Sequence, residues 1–161
     1  MNKFLSMLTI GTLISVSSAA YAACPDPANR SAHYTVLQRA YDLSNGAKSF
    51  AADIGGSTSW NDCGIPGEGF FPSQPSVRLD LSAAEGKQLT IEVVRGCART
   101  YMYVQAGEYT DWVSGSPATE NVSLTIPRAN IGNDQTVLIY LSSSIAGEVC
   151  QGAISFETAR G

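Results

Sequence analysis

Four aromatic residues fall within twelve positions of this chain: Tyr101, Tyr103, Tyr109 and Trp112. On an exposed sheet face or a loop rim, such rings stack on sugars or anchor a protein partner. On an inner face, Tyr101 and Tyr103 are core residues and Trp112 caps the core. The residues by themselves leave both readings open. Conventional catalysis finds less to work with. His33 is the sole histidine, so any Ser-His-Asp arrangement would have to use it. No G-x-S-x-G turn, metalloprotease helix motif or calcium-binding EF-hand loop occurs. No two carboxylates are singled out by their neighbours for glycoside hydrolysis. The sequence therefore assigns no catalytic residue and no cofactor.

The four cysteines, Cys24, Cys63, Cys97 and Cys150, lack the C-x-x-C or clustered spacing of redox and zinc sites. An even number in an exported chain reads as disulfides, and four cysteines allow three connectivities. Cys97 follows one apolar strand pattern and Cys150 precedes the last, so strand ends meet if these two pair. Cys24 with Cys63 then ties the N-terminal segment to a loop rich in proline and glycine. Trp60, beside Cys63, is read as a shield for that bond.

The export reading rests on the N-terminus. Lys3 precedes an apolar run from Phe4 to about Val16, and Ala20-Tyr21-Ala22 forms an A-x-A cleavage site. Residues 1–22 are thus expected to be a cleaved signal peptide, with a periplasmic or secreted destination. The apolar run is short for a membrane span, which wants about 20 residues. Lipidation of Cys24 would leave an odd three cysteines, and Tyr21 stands where a lipidated bacterial chain carries leucine. Residues 23–161 are expected to form a single domain. Residues 23–33, which contain His33, are expected to be poorly ordered apart from Cys24. The formal charge of −4, lowered by one with the loss of Lys3, excludes the basic surface of a nucleic-acid binder. Asn29-Arg30-Ser31 and Asn121-Val122-Ser123 match the glycosylation acceptor pattern, which a bacterial export signal leaves unused.

The elements that must position these residues are short strands. Val77, Leu79 and Leu81 alternate with Arg78 and Asp80; Leu89, Ile91 and Val93 repeat the period. Thr100–Gln105 sets Tyr101 and Tyr103 on one face and Met102 and Val104 on the other. Val122, Leu124 and Ile126 alternate again. Val137, Ile139 and Leu141 oppose Leu138 and Tyr140, which predicts a strand buried on both faces. Ile154 and Phe156 mark the last strand. Asn45-Gly46 predicts a tight hairpin between strands near Tyr34–Leu43 and Lys48–Ile54. Val36, Leu37, Ala40 and Leu43 also fit a helix period. Glycine and proline break 55–75 into loops. The expected fold is all-β: a disulfide-braced, antiparallel, jelly-roll-like β-sandwich.

From Gly55-Gly56-Ser57 through Cys63-Gly64, Gly69-Phe70, Pro75-Ser76-Val77-Arg78-Leu79 and Leu89-Thr90-Ile91-Glu92-Val93, the chain resembles a known family. The tyrosine strand and the strand after Cys150-Gln151-Gly152 continue the likeness. The family comprises bacterial secreted β-sandwich domains related to the pre-peptidase C-terminal domain. The resemblance implies a jelly-roll-like accessory or stand-alone module that is not itself a catalyst. Such domains often carry an acidic cluster suited to calcium after the central strand. The corresponding stretch here, 107–112, offers only Glu108 and Asp111, whereas calcium takes six to eight oxygens.

The expected function is a non-catalytic exported module that contacts carbohydrate or protein through loops or an aromatic face. A periplasmic inhibitor or accessory factor of a hydrolase, of the protease or lysozyme type, is the rival reading. An unrecognised hydrolase is the third.

Overall fold

The computed structural model describes residues 24–26, 31–32, 34–39, 43, 45–82, 87–97, 99–115, 122–127, 130 and 136–160. The expected leader, His33, Asn29 and Asn121 lie outside the described residues.

Alternating apolar residues build two inner faces. In β9 (Val122–Ile126), Val122, Leu124 and Ile126 are buried while Ser123 and Thr125 face solvent. Its neighbour β6 (Lys87–Arg95) buries Leu89, Ile91 and Val93 in the same way. With β2 (Lys48–Ile54) and β11 (Cys150–Arg160) they form one sheet in the order β2-β11-β6-β9. The other sheet joins β1 (Tyr34–Arg39), β5 (Val77–Ser82), β10 (Thr136–Ser143) and β7 (Thr100–Ala106), with β8 (Tyr109–Ser114) at its edge. Two short pieces, β3 (Thr58–Ser59) and β4 (Phe70–Phe71), complete it through Ser143 of β10. The two inner faces meet in a core that includes Leu79, Met102, Val104, Ile139 and Leu141 from this sheet. The first sheet contributes Ile54, Leu89, Ile91, Leu124 and Phe156. The protein is an all-β sandwich braced by two disulfides.

Two sequence expectations about pairing are corrected. Gly46 does adopt a positive φ of 123°. The strands on either side of it, however, belong to different sheets. β1 ends at Arg39 and runs parallel to β5, with Val36 opposite Leu79, whereas β2 pairs antiparallel with β11. Val36 is buried from the second sheet and Ala52 and Ile54 from the first, so each strand satisfies its apolar face against a distant partner. The two strands therefore lie in different layers, and one pair, β1 with β5, departs from the antiparallel pattern.

Strand β10 is buried on both faces along its whole length, and so is β7. Val137, Ile139 and Leu141 point into the main core. On the opposite face Leu138 and Tyr140 join Tyr101, Tyr103, Trp60 and Phe71 in a second apolar cluster. The loop-rich stretch 55–75 supplies its cover, through β3, a one-turn 3-10 helix (Asn61–Cys63) and β4. Glycine admits the close crossings this fold-over needs. A Cβ on Gly56 would lie 2.2 Å from the carbonyl oxygen of Phe71, and one on Gly55 would lie 2.0 Å from that of Glu148.

Candidate functional site

The ladder registers place the aromatic residues. Tyr140 of β10 lies opposite Tyr103 of β7, and Tyr103 lies opposite Trp112 of β8. Directly opposed residues share a face, so the three rings form a row across three strands on the outer side of the sheet. Trp60 lies across this row. Its ring meets Tyr101, Tyr103 and Trp112 edge-on at centroid distances of 5.8, 6.3 and 5.9 Å, within the range aromatic pairs prefer. Its indole N–H donates to the Ser142 hydroxyl at 2.7 Å, which satisfies both buried groups. Tyr101 and Tyr103 are therefore buried, but in the second cluster rather than on the inner face. Because β8 is the edge strand, the row ends in solvent, and Trp112 is 38% exposed.

Beside Trp112 a groove of about 270 Å³ opens between the edge strand and the covering loop. Tyr101, Trp112 and Ser114 line it from the sheet, Gly115 from just after β8, Gly67 and Glu68 from the loop, and Arg99 from just before β7. Gly67 has a φ of 124°, and a Cβ there would come within 3.0 Å of Trp60 and 3.4 Å of Trp112. The missing side chain thus lets the loop backbone lie against both indoles. Arg99 Nη1 and Glu68 Oε2 face each other at 4.0 Å. Each flank is held by a disulfide. Cys63, bonded to Cys24, lies in the 3-10 turn between Trp60 and Gly67 and packs against the second cluster. Cys97, bonded to Cys150, precedes Arg99, and the Thr100 hydroxyl accepts the Cys97 backbone N–H at 3.0 Å. These are the two pairs favoured from strand placement. Trp60 covers the cluster beneath the loop rather than merely the sulfur atoms.

The remaining candidates point elsewhere. Tyr109 is an odd number of residues from Trp112, so strand alternation turns it to the opposite face, where it packs half-buried against the main core. Its hydroxyl donates to Asp111 Oδ2 at 2.8 Å, and the Trp112 backbone N–H donates to Asp111 Oδ1 at 2.8 Å. Both carboxylate oxygens of Asp111 thus serve the edge strand itself. Glu108 is exposed in the preceding turn. Among the described residues no three acids, histidines or cysteines gather as a metal site. The stretch 107–112 that carries the two acids lies largely in strand β8.

Burial pushes the Tyr109 phenol up to about 12, helped by its hydrogen bond to Asp111 and that carboxylate's charge. Burial also raises Tyr140 to about 12, against a backbone hydrogen bond from Asp26 that pulls the other way. Tyr103 rises for the same first reason, opposed by a hydrogen bond with the Thr110 side chain. An unfolded tyrosine ionises near 10. The folded chain therefore retains protons that the unfolded chain loses between about pH 10 and 12. The associated stability is fully present below pH 10 and is lost as pH rises through that window. The midpoint of thermal unfolding should fall across it, with late ionisation visible at 295 nm. Tyr109→Phe or Tyr140→Phe should flatten the decline.

Trp60, Gly67, Glu68, Arg99 and Ser114 were not identified as site residues from sequence. The only signal for Trp60 was its place beside Cys63, and nothing in the linear pattern joins Glu68 to Arg99. Among the described residues, no helix is long and apolar enough to cross a membrane. No family model matches the chain, and no curated protein matches it significantly.

Proposed function

We propose that the chain is an exported, non-catalytic carbohydrate-binding module, periplasmic or secreted, that holds its ligand in the groove beside Trp112. One observation carries this reading. A partly exposed indole, fixed from behind by a buried one, borders a concavity that also contains a guanidinium, a carboxylate and a hydroxyl. Sugars present an apolar C–H face and a rim of hydroxyls, and an aromatic ring ringed by polar groups matches both. The rigid backing lowers the ordering cost of binding. Glu68 is the sole carboxylate among the lining residues, whereas two-carboxylate hydrolysis needs a second. The A-x-A leader motif and the two disulfides support export. The resemblance to secreted accessory sandwiches points the same way.

Trp112→Ala tests the reading. Saturable binding of simple glycosides, followed by ligand-observed NMR, should weaken about 30-fold, the equivalent of a hot spot of about 2 kcal/mol. Folding stability should fall by about 1–2 kcal/mol, less than for a fully buried ring, because this indole is partly covered and packs edge-on against Trp60. Unchanged glycoside binding overturns the assignment of the ligand to the groove beside Trp112, and stoichiometric capture of a hydrolase without any sugar binding overturns the reading in favour of a protein-contact role.

A further inference from the structure

We propose that the groove accepts a single uncharged sugar ring, whose hydroxyls bridge Arg99 and Glu68, and discriminates against acidic sugars. This rests on the carbohydrate reading and adds the chemical class of the ligand.

Size sets the first limit. A volume of about 270 Å³ lies just below the range of roughly 300–1,000 Å³ typical of drug-sized ligands, which suits one ring against Trp112 rather than an enclosed oligosaccharide. Spacing sets the second. The 4.0 Å between Arg99 Nη1 and Glu68 Oε2 is too long for a hydrogen bond, which spans about 2.7–3.2 Å. The two charges face each other without closing on one another, and both side chains reach solvent, at 41% and 83% exposure. A hydroxyl both donates and accepts. A sugar hydroxyl, or two neighbouring ones, can accept from the guanidinium while donating to the carboxylate. A ligand carboxylate accepts only. It would gain from Arg99 but place its charge against Glu68, and an ammonium would meet the converse conflict at Arg99. Repulsion of this kind is how a site discriminates between otherwise similar ligands. The chain's net charge of −4 adds a field that further disfavours anions. Ser114 adds a second hydroxyl on the outer face of the edge strand, opposite Tyr101.

The test uses the mature, disulfide-bonded protein at neutral pH and low salt. Methyl glucoside, galactoside and mannoside are compared with the corresponding methyl uronates by saturation-transfer and chemical-shift titration. At least one neutral glycoside should bind ten-fold or more tightly than its uronate. Glu68→Gln should narrow that ratio several-fold, because it removes the repulsive charge, and added salt should narrow it in the wild type. A uronate that binds as tightly as its neutral counterpart overturns the proposal while leaving the carbohydrate reading intact. So does a ratio that Glu68→Gln leaves unchanged. Absence of saturable binding by either class overturns both.

Discussion

Trp60→Ala should destabilise the folded chain by about 3–5 kcal/mol, the usual cost of emptying a large buried aromatic site. Trp60 is fully buried and touches Phe71, Tyr101, Tyr103 and Trp112. Its removal leaves a void beneath a loop whose backbone is fixed by Cys63, so collapse can fill it only in part. The Ser142 hydroxyl, itself fully buried, loses its donor and adds the cost of an unsatisfied polar group. Denaturant unfolding should show the loss as a lower midpoint. Trp60→Phe should cost less than alanine while still orphaning Ser142. Binding should weaken as well, because Trp112 loses the edge contact that sets its ring angle. A variant that unfolds at the wild-type midpoint would show that the loop does not depend on this ring.

Replacing Cys97 and Cys150 together by alanine should cost about 2–5 kcal/mol. The bond spans 53 residues, for which the chain-entropy model gives about 4 kcal/mol before native strain is considered. Cys97 belongs to the main core, and Cys150 opens β11 opposite Ile54. The ladder between β11 and β6 shifts register at Ala153 and Ile154 just inside this link, so the disulfide holds the ends of the sheet's two central strands together where their pairing is irregular. The bond from Cys24 to Cys63 spans 39 residues and has nearly the same entropic value. Its removal should differ in kind, releasing the outer loop and weakening ligand binding. Denaturant midpoints beside binding constants for the two double variants measure that contrast.

Much of the sandwich was legible because burial repeats with the pleat. Val77, Leu79 and Leu81, or Leu89, Ile91 and Val93, announce both a strand and the face it buries. The continuous apolar run from Val137 to Leu141 likewise announced burial on both sides. What the pattern does not contain is partner identity. Asn45-Gly46 has the chemistry of a hairpin turn, yet Val36 and Ile54 find their neighbours in opposite layers. The site is harder still to read, since it depends on three such partnerships at once. Tyr103 must oppose both Tyr140 and Trp112, β8 must be an edge, and the loop carrying Glu68 must fold back over the sheet to meet Arg99. The aromatic cluster could be seen in the sequence; the alternation that sends Tyr109 away from Trp112 could be seen only once β8 was known to be a strand.

The cysteines are joined first to second and third to fourth, without interlacing. A chain oxidised while it emerges N-terminus first would present Cys63 when Cys24 is the only earlier thiol, and the first loop would close before Cys97 arrives. Cys150 would then find a single partner remaining. Thiol–disulfide exchange would have no wrong pairing to undo, so the native bonds could form in order of appearance without an isomerase.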